Sequence, residues 1–529
     1  MTDLALKSPP GGRQSYLDFS VPARAYARYR VGRLERVDPV AVQSALMLRL
    51  LRQAQNTRFG QAHGFAQIAD VNMFQQQVPV RDYNAFWTGW WSAHYPSIVN
   101  QTWPGRIPYF SMTSGTTTGR SKFIPYTKDM RRAAVRGFLD LLCFHLTRRP
   151  ESRLLRGAAL GLTGPIDLKQ TVPGVAAGAV SAITAEALPG FMNHRVLPPA
   201  DIANLPDWQD KIHRLAQLSL DHDVRFLGGS PNWLLLFLAE VARLFPDAPE
   251  RLVEWYPDLD IIVHGGVNFA PYREKFSALM EGSHAETREI YSASEGVFAY
   301  SDRGDGEGMR LHLDGQVFFE FIPVETLTCK SPERHWVGNA ETGVDYALAV
   351  STAAGLWSYL VGDIIRLVDN TPPRLIVVGR VQQGLSAFGE HLIEAEIADA
   401  LASAASHLRL SVIDYCVGSV REKTGGHHIF LIETASRTPP RIAAQLAVHI
   451  DTALRKMNED YAELREKDYA LHAPRVQLVP PGGFAQWMKK RRALGGQNKV
   501  PRIVTDEALF DDLCSIVPDR HDGGCWDDH

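Results

Sequence analysis

Residues 111–125 read SMTSGTTTGRSKFIP, and seven of the first eight are Ser, Thr or Gly. Glycine lets the backbone approach a ligand closely, while hydroxyl and backbone N–H groups donate hydrogen bonds to anionic oxygens. Lys122 adds a positive charge, and Arg120 is a second cation that could equally face solvent. Charge-assisted hydrogen bonds are worth roughly 1.5–3 kcal/mol each, so several of them could hold a triphosphate. The same composition is equally typical of a polar surface loop without a ligand.

This loop differs from a P-loop of the GxxxxGK[ST] type. Gly115 and Gly119 are separated by three residues, and the lysine follows the second glycine by three positions. In a P-loop the lysine follows the second glycine directly. We therefore exclude a P-loop NTPase, and only other motifs can decide between a phosphate site and a surface loop.

Three further stretches carry side chains suited to a nucleotide. EIYSASEG places Tyr291 four residues before Glu295, as a ring stacked on a base and a metal-binding carboxylate require. YLVGD places Asp363 directly after a glycine, where a carboxylate can accept both hydroxyls of a ribose. GGQNKVPRI places Lys499 on a glycine-rich turn. Each motif alone is a weak indication, because an isolated Tyr or Asp is more often structural.

The elements that must position these residues follow from the hydrophobic pattern. The spacing of apolar residues predicts helices over residues 39–55 and 231–245, and a third over 127–146 with Thr127 as its N-cap. From about residue 155 to 320, short β-rich runs alternate with helical patterns. That alternation is typical of an α/β layered domain with a largely parallel sheet.

A second pattern begins near residue 380. The strand RLIVVGR ends at Gly379-Arg380, and the pattern after it is typical of a β-rich α+β unit of about 120–150 residues. Because 529 residues are too many for one ordinary core, we place a domain boundary here. Residues 1–379 are predicted to form a large N-terminal domain, and residues 380–529 a smaller one.

Composition favours small molecules as ligands. The formal net charge is -3, whereas proteins that neutralise nucleic-acid phosphates usually show a clustered basic excess. The five cysteines form no CxxC pair, so neither a zinc ribbon nor a disulfide framework is predicted, and a reducing cytoplasm fits. The N-terminal stretch has an early acid and a Pro-Pro break, unlike a secretory signal. We expect no membrane anchor, because Glu240 and Arg243 interrupt the most apolar stretch.

In their order and separations, the four motifs resemble the acyl-adenylating superfamily. Within it they are most similar to the Gretchen Hagen family of acyl acid-amido synthetases, the auxin-responsive enzymes of plants and their bacterial relatives. The resemblance spans nearly the whole chain: NTRFGQAHGF and FQQQVPVRDY resemble early blocks, and SKFIP, HGGVNFAPY, YSASEG, YLVGD and NKVPR resemble later ones. It implies an α/β fold with a large N-terminal acyl-adenylating domain of layered β-sheets and helices, plus a smaller mobile C-terminal α+β domain.

The resemblance implies roles for particular residues. Those around the ATP phosphates would be Thr113, Ser114, Thr116, Thr117 and Lys122. Those framing the adenine would be Gly266, Val267 and Tyr291. Ser294 would contact the phosphate of the adenylate, and Glu295 would bind Mg2+. Asp363 and Arg380 would take the ribose hydroxyls, with Arg380 also at the hinge between the domains.

The implied reaction has two halves. A carboxylic acid attacks the α-phosphate of ATP, and Lys499 stabilises the transition state, in which charge develops between carboxylate and phosphate. The small domain then rotates about the hinge, and an amine, with an amino acid favoured, attacks the acyl carbon and releases AMP. ATP and Mg2+ are thus the implied cofactors. The sequence names neither the acid nor the amine nor the oligomeric state. Residues 127–146, 171–183 and 228–233 are expected to line the acid pocket, which would suit an apolar or aromatic acid.

One position departs from the family pattern. The third motif commonly has Arg after its Tyr, whereas Leu360 follows Tyr359 here. Arg366 either replaces that contact or makes a surface salt bridge.

Two alternative functions stay open. One is an adenylating ligase that forms a thioester with coenzyme A or a carrier protein, although we see no carrier-domain serine motif. The other is a non-catalytic nucleotide-binding homologue, against which the retention of Glu295 and Lys499 argues.

Several motifs point elsewhere and are weaker. HGGV imitates an oxyanion-hole stretch of lipases, but the chain has no GxSxG nucleophile elbow. His427 and His428 are neighbours in a predicted strand, so they would face opposite sides and could not easily share a metal. For the C-terminal residues we favour a polar tail over a metal site formed by His521, Asp522, Cys525 and His529.

Overall fold

The fold is that of a computed structural model. It describes residues 13–14, 16–112, 122–163, 166–187, 194–205, 207–327, 329, 331–381, 385, 387–388, 390, 392–422, 426–466, 471–491 and 499–517. Within these ranges, no helix is both long enough and apolar enough to span a membrane.

The strands of the described residues form three sheets. In chain order they are β1 (Tyr109–Met112), β2 (Phe123–Tyr126), β3 (Ala158–Gly161), β4 (Lys169–Val172), β5 (Val175–Gly178), β6 (Val196–Leu197), β7 (Val224–Gly229), β8 (Ile261–His264), β9 (Glu286–Ala293), β10 (Gly296–Tyr300), β11 (Met309–Leu311), β12 (Val317–Pro323), β13 (His335–Trp336), β14 (Asp345–Thr352), β15 (Tyr359–Asn370), β16 (Pro373–Arg380), β17 (Val412–Arg421), β18 (Gly426–Thr434), β19 (Arg475–Val479) and β20 (Ile503–Val504).

The helices cover these sheets and join the strands. In chain order they are α1 (Ser20–Leu34), α2 (Pro39–Ala54), α3 (Arg58–Ala62), α4 (Val71–Gln77), α5 (Tyr83–Phe86), α6 (Lys128–Arg148), α7 (Val180–Ala185), α8 (Ala200–Ala203), α9 (Trp208–Leu220), α10 (Pro231–Arg243), α11 (Leu252–Trp255), α12 (Arg273–Leu279), α13 (Glu394–His407), α14 (Arg441–Met457), α15 (Glu459–Glu466), α16 (Gly483–Lys490) and α17 (Glu507–Cys514).

The three helices predicted from the sequence are confirmed as α2, α6 and α10. The Asp38 carboxylate caps α2 by accepting the backbone N–H of Val40 at 2.9 Å. The Thr127 hydroxyl caps α6 by accepting the N–H of Met130 at 3.2 Å. These caps satisfy donors that a helix leaves without an internal partner, and so they fix where each helix begins.

The largest sheet has twelve strands in the order β13-β12-β14-β15-β16-β11-β10-β9-β8-β7-β3-β6. Strands β6, β3, β7, β8 and β9 run parallel, as expected. The expectation of parallel strands is wrong after β9, where each pairing is antiparallel. Ser294 and Glu295 alone join β9 to β10, and only antiparallel strands can be joined by so short a turn. Apolar runs in the sequence do not reveal strand direction, because an antiparallel strand that is buried along its length, such as β12, is also mostly apolar.

The chain thus has a large N-terminal part and a smaller C-terminal α+β part. The small part contains the sheet β19-β18-β17-β20 and helices α13 to α17. Its apolar residues on β17 and β18 pack partly against α13 and α14, and partly in one cluster with α10 of the large part. The predicted boundary, Gly379-Arg380, falls at the end of β16. Division of the chain at that point, and movement about it, stay predictions.

Candidate active site

A cavity of about 1420 Å³ lies between the large and small parts of the chain. It opens at the carboxyl ends of β7, β8 and β9, the edge at which parallel sheets usually bind ligands. The predicted site residues that line it are Lys122, Gly266, Val267, Tyr291, Ser294, Glu295, Asp363, Arg380 and Lys499. The other four, Thr113, Ser114, Thr116 and Thr117, lie outside the described residues. Residues up to 377 positions apart in sequence, from Lys122 to Lys499, therefore face one space.

Tyr291, Asp363 and Arg380 form a connected polar group in the cavity wall. The hydroxyl of Tyr291 donates to Asp363 Oδ2 at 2.6 Å, and Arg380 Nε lies 2.9 Å from Asp363 Oδ1. Asp363 on β15 and Arg380 on β16 are direct partners in the antiparallel ladder, so the sheet register fixes this ion pair. The side chain of Asp363 is 7% exposed, whereas that of Arg380 is 47% exposed. The guanidinium is therefore accessible to a ligand, and the carboxylate holds it in place.

Glu295 lies in the tight turn between β9 and β10. It is buried, and its carboxylate interacts with the Tyr359 hydroxyl. Burial raises the pKa of Glu295, and the charge of Asp363 acts in the same direction, against the opposite effects of Tyr359 and Lys122. A buried carboxylate next to a second carboxylate is an environment that a divalent cation would stabilise. Glu295 therefore fits a Mg2+ ligand.

The loop after β8 holds Lys499. A side chain at Gly265 would collide with the carbonyl oxygen of Ile290, and Gly266 has φ +81°, a conformation that favours glycine. The ammonium group of Lys499 donates a hydrogen bond to the Gly266 carbonyl oxygen. Burial lowers the pKa of Lys499 to about 8, with the charge of Arg502 as the next cause. Lys499 thus enters the large part of the chain from the small part as a partly desolvated cation.

Lys122 lies directly after the hydroxyl-rich loop, at the start of β2. Its Nζ lies 5.5 Å from the centroid of the Tyr83 ring, a cation–π distance. The Tyr83 hydroxyl accepts the backbone N–H of Phe123 at 3.0 Å, which holds the beginning of β2 against the same ring. The charge of Lys122 is also close enough to affect Glu295. Lys122 and the beginning of β2 are therefore held near the turn that carries Glu295.

The sequence reasoning missed a polar group next to Tyr291. His264 on β8 and Glu289 on β9 are direct partners in the parallel ladder, and both line the cavity with Arg273 and Asp305. His264 is 1% exposed, and neither ring nitrogen has a hydrogen-bond partner among the described residues. Burial raises the pKa of Glu289 to about 7. A signal was present: Glu289 precedes Tyr291 by two residues, so in a strand both face the same side.

Arg366 makes an ion pair outside the cavity. Its Nε and its second terminal nitrogen lie 2.7 Å and 2.9 Å from the two carboxylate oxygens of Asp345. These residues are opposite each other on β15 and β14, and Arg366 is absent from the cavity lining. Of the two interpretations of Arg366, the salt bridge is therefore correct.

The two neighbouring histidines of β18 contact different carboxylates. His428 Nε2 lies 3.2 Å from Glu390, and His427 Nδ1 lies 2.9 Å from Glu422. Their side chains diverge as the strand period requires, so they do not form one metal site. The four C-terminal residues weighed as metal ligands lie outside the described residues.

Family comparison gives three matches along the chain. The GH3 family N-terminal domain matches residues 33–213, the GH3 family central domain matches 310–380, and the GH3 family C-terminal domain matches 395–508. Together these ranges cover more than half of the 529 residues.

Among curated proteins, the chain is similar to plant amido synthetases. It is 28% identical over 285 residues to the indole-3-acetic acid-amido synthetase GH3.8 of Oryza sativa subsp. indica, covering 50% of this chain and 46% of that protein. It is 26% identical over 280 residues to GH3.3 of Arabidopsis thaliana, with the same coverage. The match thus spans about half the length of these relatives.

Solved structures share the fold over nearly the whole chain. The GH3.15 acyl acid amido synthetase superposes with a TM-score of 0.76 at 17% identity, covering 93% of this chain and 96% of that one. A 2-hydroxyisobutyryl-CoA ligase in its postadenylation state superposes with a TM-score of 0.56 at 16% identity, covering 97% and 98%. At these identities the likeness concerns the fold alone.

Proposed function

This chain belongs to the GH3 family, and from that premise we propose that it is an ATP-dependent acyl acid-amido synthetase. The observation that carries the proposal is the cavity, in which Lys499 of the small part faces Tyr291, Glu295 and Asp363 of the large part. The names of its plant relatives describe the same activity, with indole-3-acetic acid as their acid.

We propose that ATP lies along the edge formed by β8, β9 and β15. Asp363 and Arg380 suit the ribose, because a buried carboxylate accepts two hydroxyls while the exposed guanidinium donates to them. Tyr291 frames the adenine together with Gly266 and Val267, whose loop comes close to β9 at Gly265 and Ile290. Glu289, two residues before Tyr291, then reaches the amino edge of the base.

The phosphates extend towards Lys122 and the hydroxyl-rich loop. Thr113, Ser114, Thr116 and Thr117 donate to phosphate oxygens in this proposal, and Ser294 contacts the α-phosphate. Glu295 would hold Mg2+, which neutralises phosphate charge when bound.

In the first half-reaction, an oxygen of the substrate carboxylate forms a bond to the α-phosphorus of ATP. The bond from that phosphorus to the bridging oxygen breaks, and pyrophosphate leaves with the electron pair. Lys499 stabilises the charge that develops between carboxylate and phosphate, the kind of electrostatic contribution that is usually the largest in catalysis. Its position in a desolvated cavity increases that interaction.

In the second half-reaction, an amine attacks the acyl carbon of the adenylate. A C–N bond forms, the bond from the acyl carbon to the phosphate oxygen breaks, AMP leaves with the electron pair, and the nitrogen loses a proton to solvent. We propose an amino acid as the amine, in line with the family. We further propose that the small domain rotates about Arg380 between the two half-reactions.

The acid should have an apolar or aromatic body. One side of the cavity is formed by α6, β6, β7 and the end of β3. The apolar residues there include Phe138, Leu142, Leu162, Leu197 and Phe226. The cavity of about 1420 Å³ exceeds the roughly 300–1,000 Å³ usual for a single small ligand, so ATP and an acid fit together.

The proposal is tested by acid-dependent exchange of pyrophosphate into ATP over a panel of aryl and alkyl acids. Mass spectrometry of reactions containing the twenty amino acids should then detect an amide with the active acid. Absence of exchange with every acid would contradict adenylation. Exchange followed by a thioester with coenzyme A, and by no amide, would assign the chain to the thioester-forming ligases instead.

A further inference from the structure

A second contact joins the two parts of the chain close to Lys499. Tyr272 is the last residue of a one-turn 3₁₀ helix of the large part, Ala270–Tyr272, and is fully buried. A terminal nitrogen of Arg502, from the small part, donates to the Tyr272 hydroxyl at 2.6 Å. This contact is sealed from solvent, because Arg502 is only 6% exposed.

Arg502 is held rigidly by its own part of the chain. Its guanidinium donates to the Asp414 carboxylate and, at 2.9 Å, to the backbone carbonyl of Tyr415. The guanidinium carbon also lies 4.5 Å from the centroid of the Tyr415 ring. We call Tyr272, Asp414 and Arg502 the interdomain triad. Its two opposite charges, on Arg502 and Asp414, both belong to the small part, and Tyr272 is the member that belongs to the large part.

The interdomain triad and Lys499 dock on one segment of the large part. Lys499 donates to Gly266, while Arg502, three residues later, donates to Tyr272. Residues 499–502 therefore meet residues 266–272 at both ends. Beyond Arg502 the chain enters β20, which pairs with β17, and the Val417 N–H donates to the Arg502 carbonyl at 2.9 Å. The segment that carries Lys499 is thus fixed to both parts at once.

We propose that Tyr272, through Arg502, positions Lys499 for the first half-reaction, and that this contact breaks before the amine attacks. This inference rests on the proposed function, because it assigns a different arrangement of the small part to each of the two half-reactions. Tyr272 and Arg502 are positioning residues in it, because they act through Lys499 and do not line the cavity.

The test compares Tyr272→Phe with Tyr256→Phe. Tyr256 is also buried, and its hydroxyl pairs at 2.6 Å with Ser219 inside the large part. Tyr256→Phe removes this one buried hydrogen bond, whereas Tyr272→Phe removes the bond accepted from Arg502 and a longer one, 3.5 Å, donated to Asp414. A merely structural role predicts a loss of stability in both variants and an unchanged exchange rate per folded molecule in both. We expect Tyr272→Phe to lower kcat of pyrophosphate exchange roughly tenfold to a hundredfold, because a charged donor loses its buried acceptor. The KM for ATP should stay within about twofold, and Tyr256→Phe should leave the exchange rate unchanged.

Amide formation from the pre-formed acyl-adenylate of the active acid supplies the second measurement. Tyr272→Phe should form amide at the wild-type rate or faster, because the contact is absent from the second arrangement. Arg502→Lys, which keeps the charge and loses the planar donor pair, should show the same division between the half-reactions. Equal losses in both half-reactions, or unchanged exchange in Tyr272→Phe, would overturn the inference.

Hydrogen exchange measured by mass spectrometry gives a readout that needs no substrate. Amide hydrogens in peptides that cover residues 499–504 should exchange faster in Tyr272→Phe than in the wild type. Their exchange rate in Tyr256→Phe should equal that of the wild type. If the wild-type protein shows no pyrophosphate exchange with any acid, the proposed function is wrong, whereas the hydrogen-exchange result for these peptides remains valid. Active wild-type protein with unchanged peptides in Tyr272→Phe would defeat the inference alone.

Discussion

Two groups of charged residues in this molecule have similar chemistry and differ in their access to solvent. In one, Arg30 of α1 binds both carboxylate oxygens of Asp140 of α6 at 2.7 Å and Asp314 at 3.0 Å, beside the buried His312. We call these four residues the closed charge group. In the other, the open charge group, Asp363 holds Tyr291 and Arg380 at the wall of the cavity.

Residue types and distances alone would favour the closed charge group as a metal site. Asp140, His312 and Asp314 bring three ligand-type atoms within 4.8 Å of one another, as a metal site would. Arg30 already occupies both oxygens of Asp140, and its side chain is only 14% exposed. In the open charge group the cation is 47% exposed and faces a cavity large enough for a nucleotide. The comparison indicates that access to the cavity, more than charge, separates a group that a ligand can reach from a sealed ion-pair group.

The largest effect is expected from Arg30→Met in the closed charge group. The substitution leaves the buried Asp140 carboxylate without its partner, which should lower the free energy of unfolding by about 3–5 kcal/mol. Urea unfolding measures this loss, and exchange activity per folded molecule should stay within about twofold of wild type. Arg132→Met on α6, which breaks an ion pair with side chains 73% and 55% exposed, is the control and should change stability by no more than about 0.5 kcal/mol. Similar losses in both variants would refute the closed charge group as a structural unit.

The next effect is expected from Lys499→Ala, which removes the cation that enters the cavity. Pyrophosphate exchange should slow by about 100–1,000-fold, as is typical when one electrostatic contact to a transition state is lost. ATP binding, measured by calorimetry, should be largely intact. Lys490→Ala removes an exposed lysine of the same part of the chain and should have no effect. A normal exchange rate in Lys499→Ala would rule out its assigned role.

Asp363→Asn should have a smaller effect, on ATP affinity. The amide keeps the shape of the side chain and loses the charge that orients Arg380, so the KM for ATP should rise roughly 10–50-fold. Asp345→Asn is the matched control, because Asp345 pairs with Arg366 on the same sheet and outside the cavity. If both variants raise KM equally, the open charge group has no special relation to ATP.

The smallest effect is a dependence on pH. Since the pKa of Lys499 is lowered to about 8, the cation is present below that pH and is lost above it. The kcat/KM for ATP in the exchange reaction should therefore fall about tenfold between pH 7 and 9. In Lys499→Arg the decline should move to higher pH, because a guanidinium stays protonated. A decline that stays near pH 8 in Lys499→Arg would assign it to another group.

Much of the local structure followed from the sequence. Helices α2, α6 and α10 have strong apolar periodicity and start signals, so short-range rules sufficed to predict them. The members of the open charge group were also named from the sequence: Tyr291 and Asp363 from motifs whose residue types suit a nucleotide, and Arg380 from the family resemblance. Their contacts with one another were not predicted. Arg366 shows the limit of this reasoning: the sequence could not decide between a site contact and a salt bridge, since the choice depends on which strand lies opposite.

Features that depend on contacts between segments distant in sequence were decided only by the tertiary structure. The antiparallel half of the large sheet arises from a two-residue turn that pairs strands whose apolar pattern suits either direction. His264 and Glu289 lie side by side only because of the register of β8 against β9. Arg502 donates to Tyr272, although the two residues are 230 positions apart in sequence. Residue types and spacings indicated which ligands and which chemistry the motif residues suit. Long-range pairing, which local patterns do not encode, determined which of its charged groups reach the cavity and which are sealed inside.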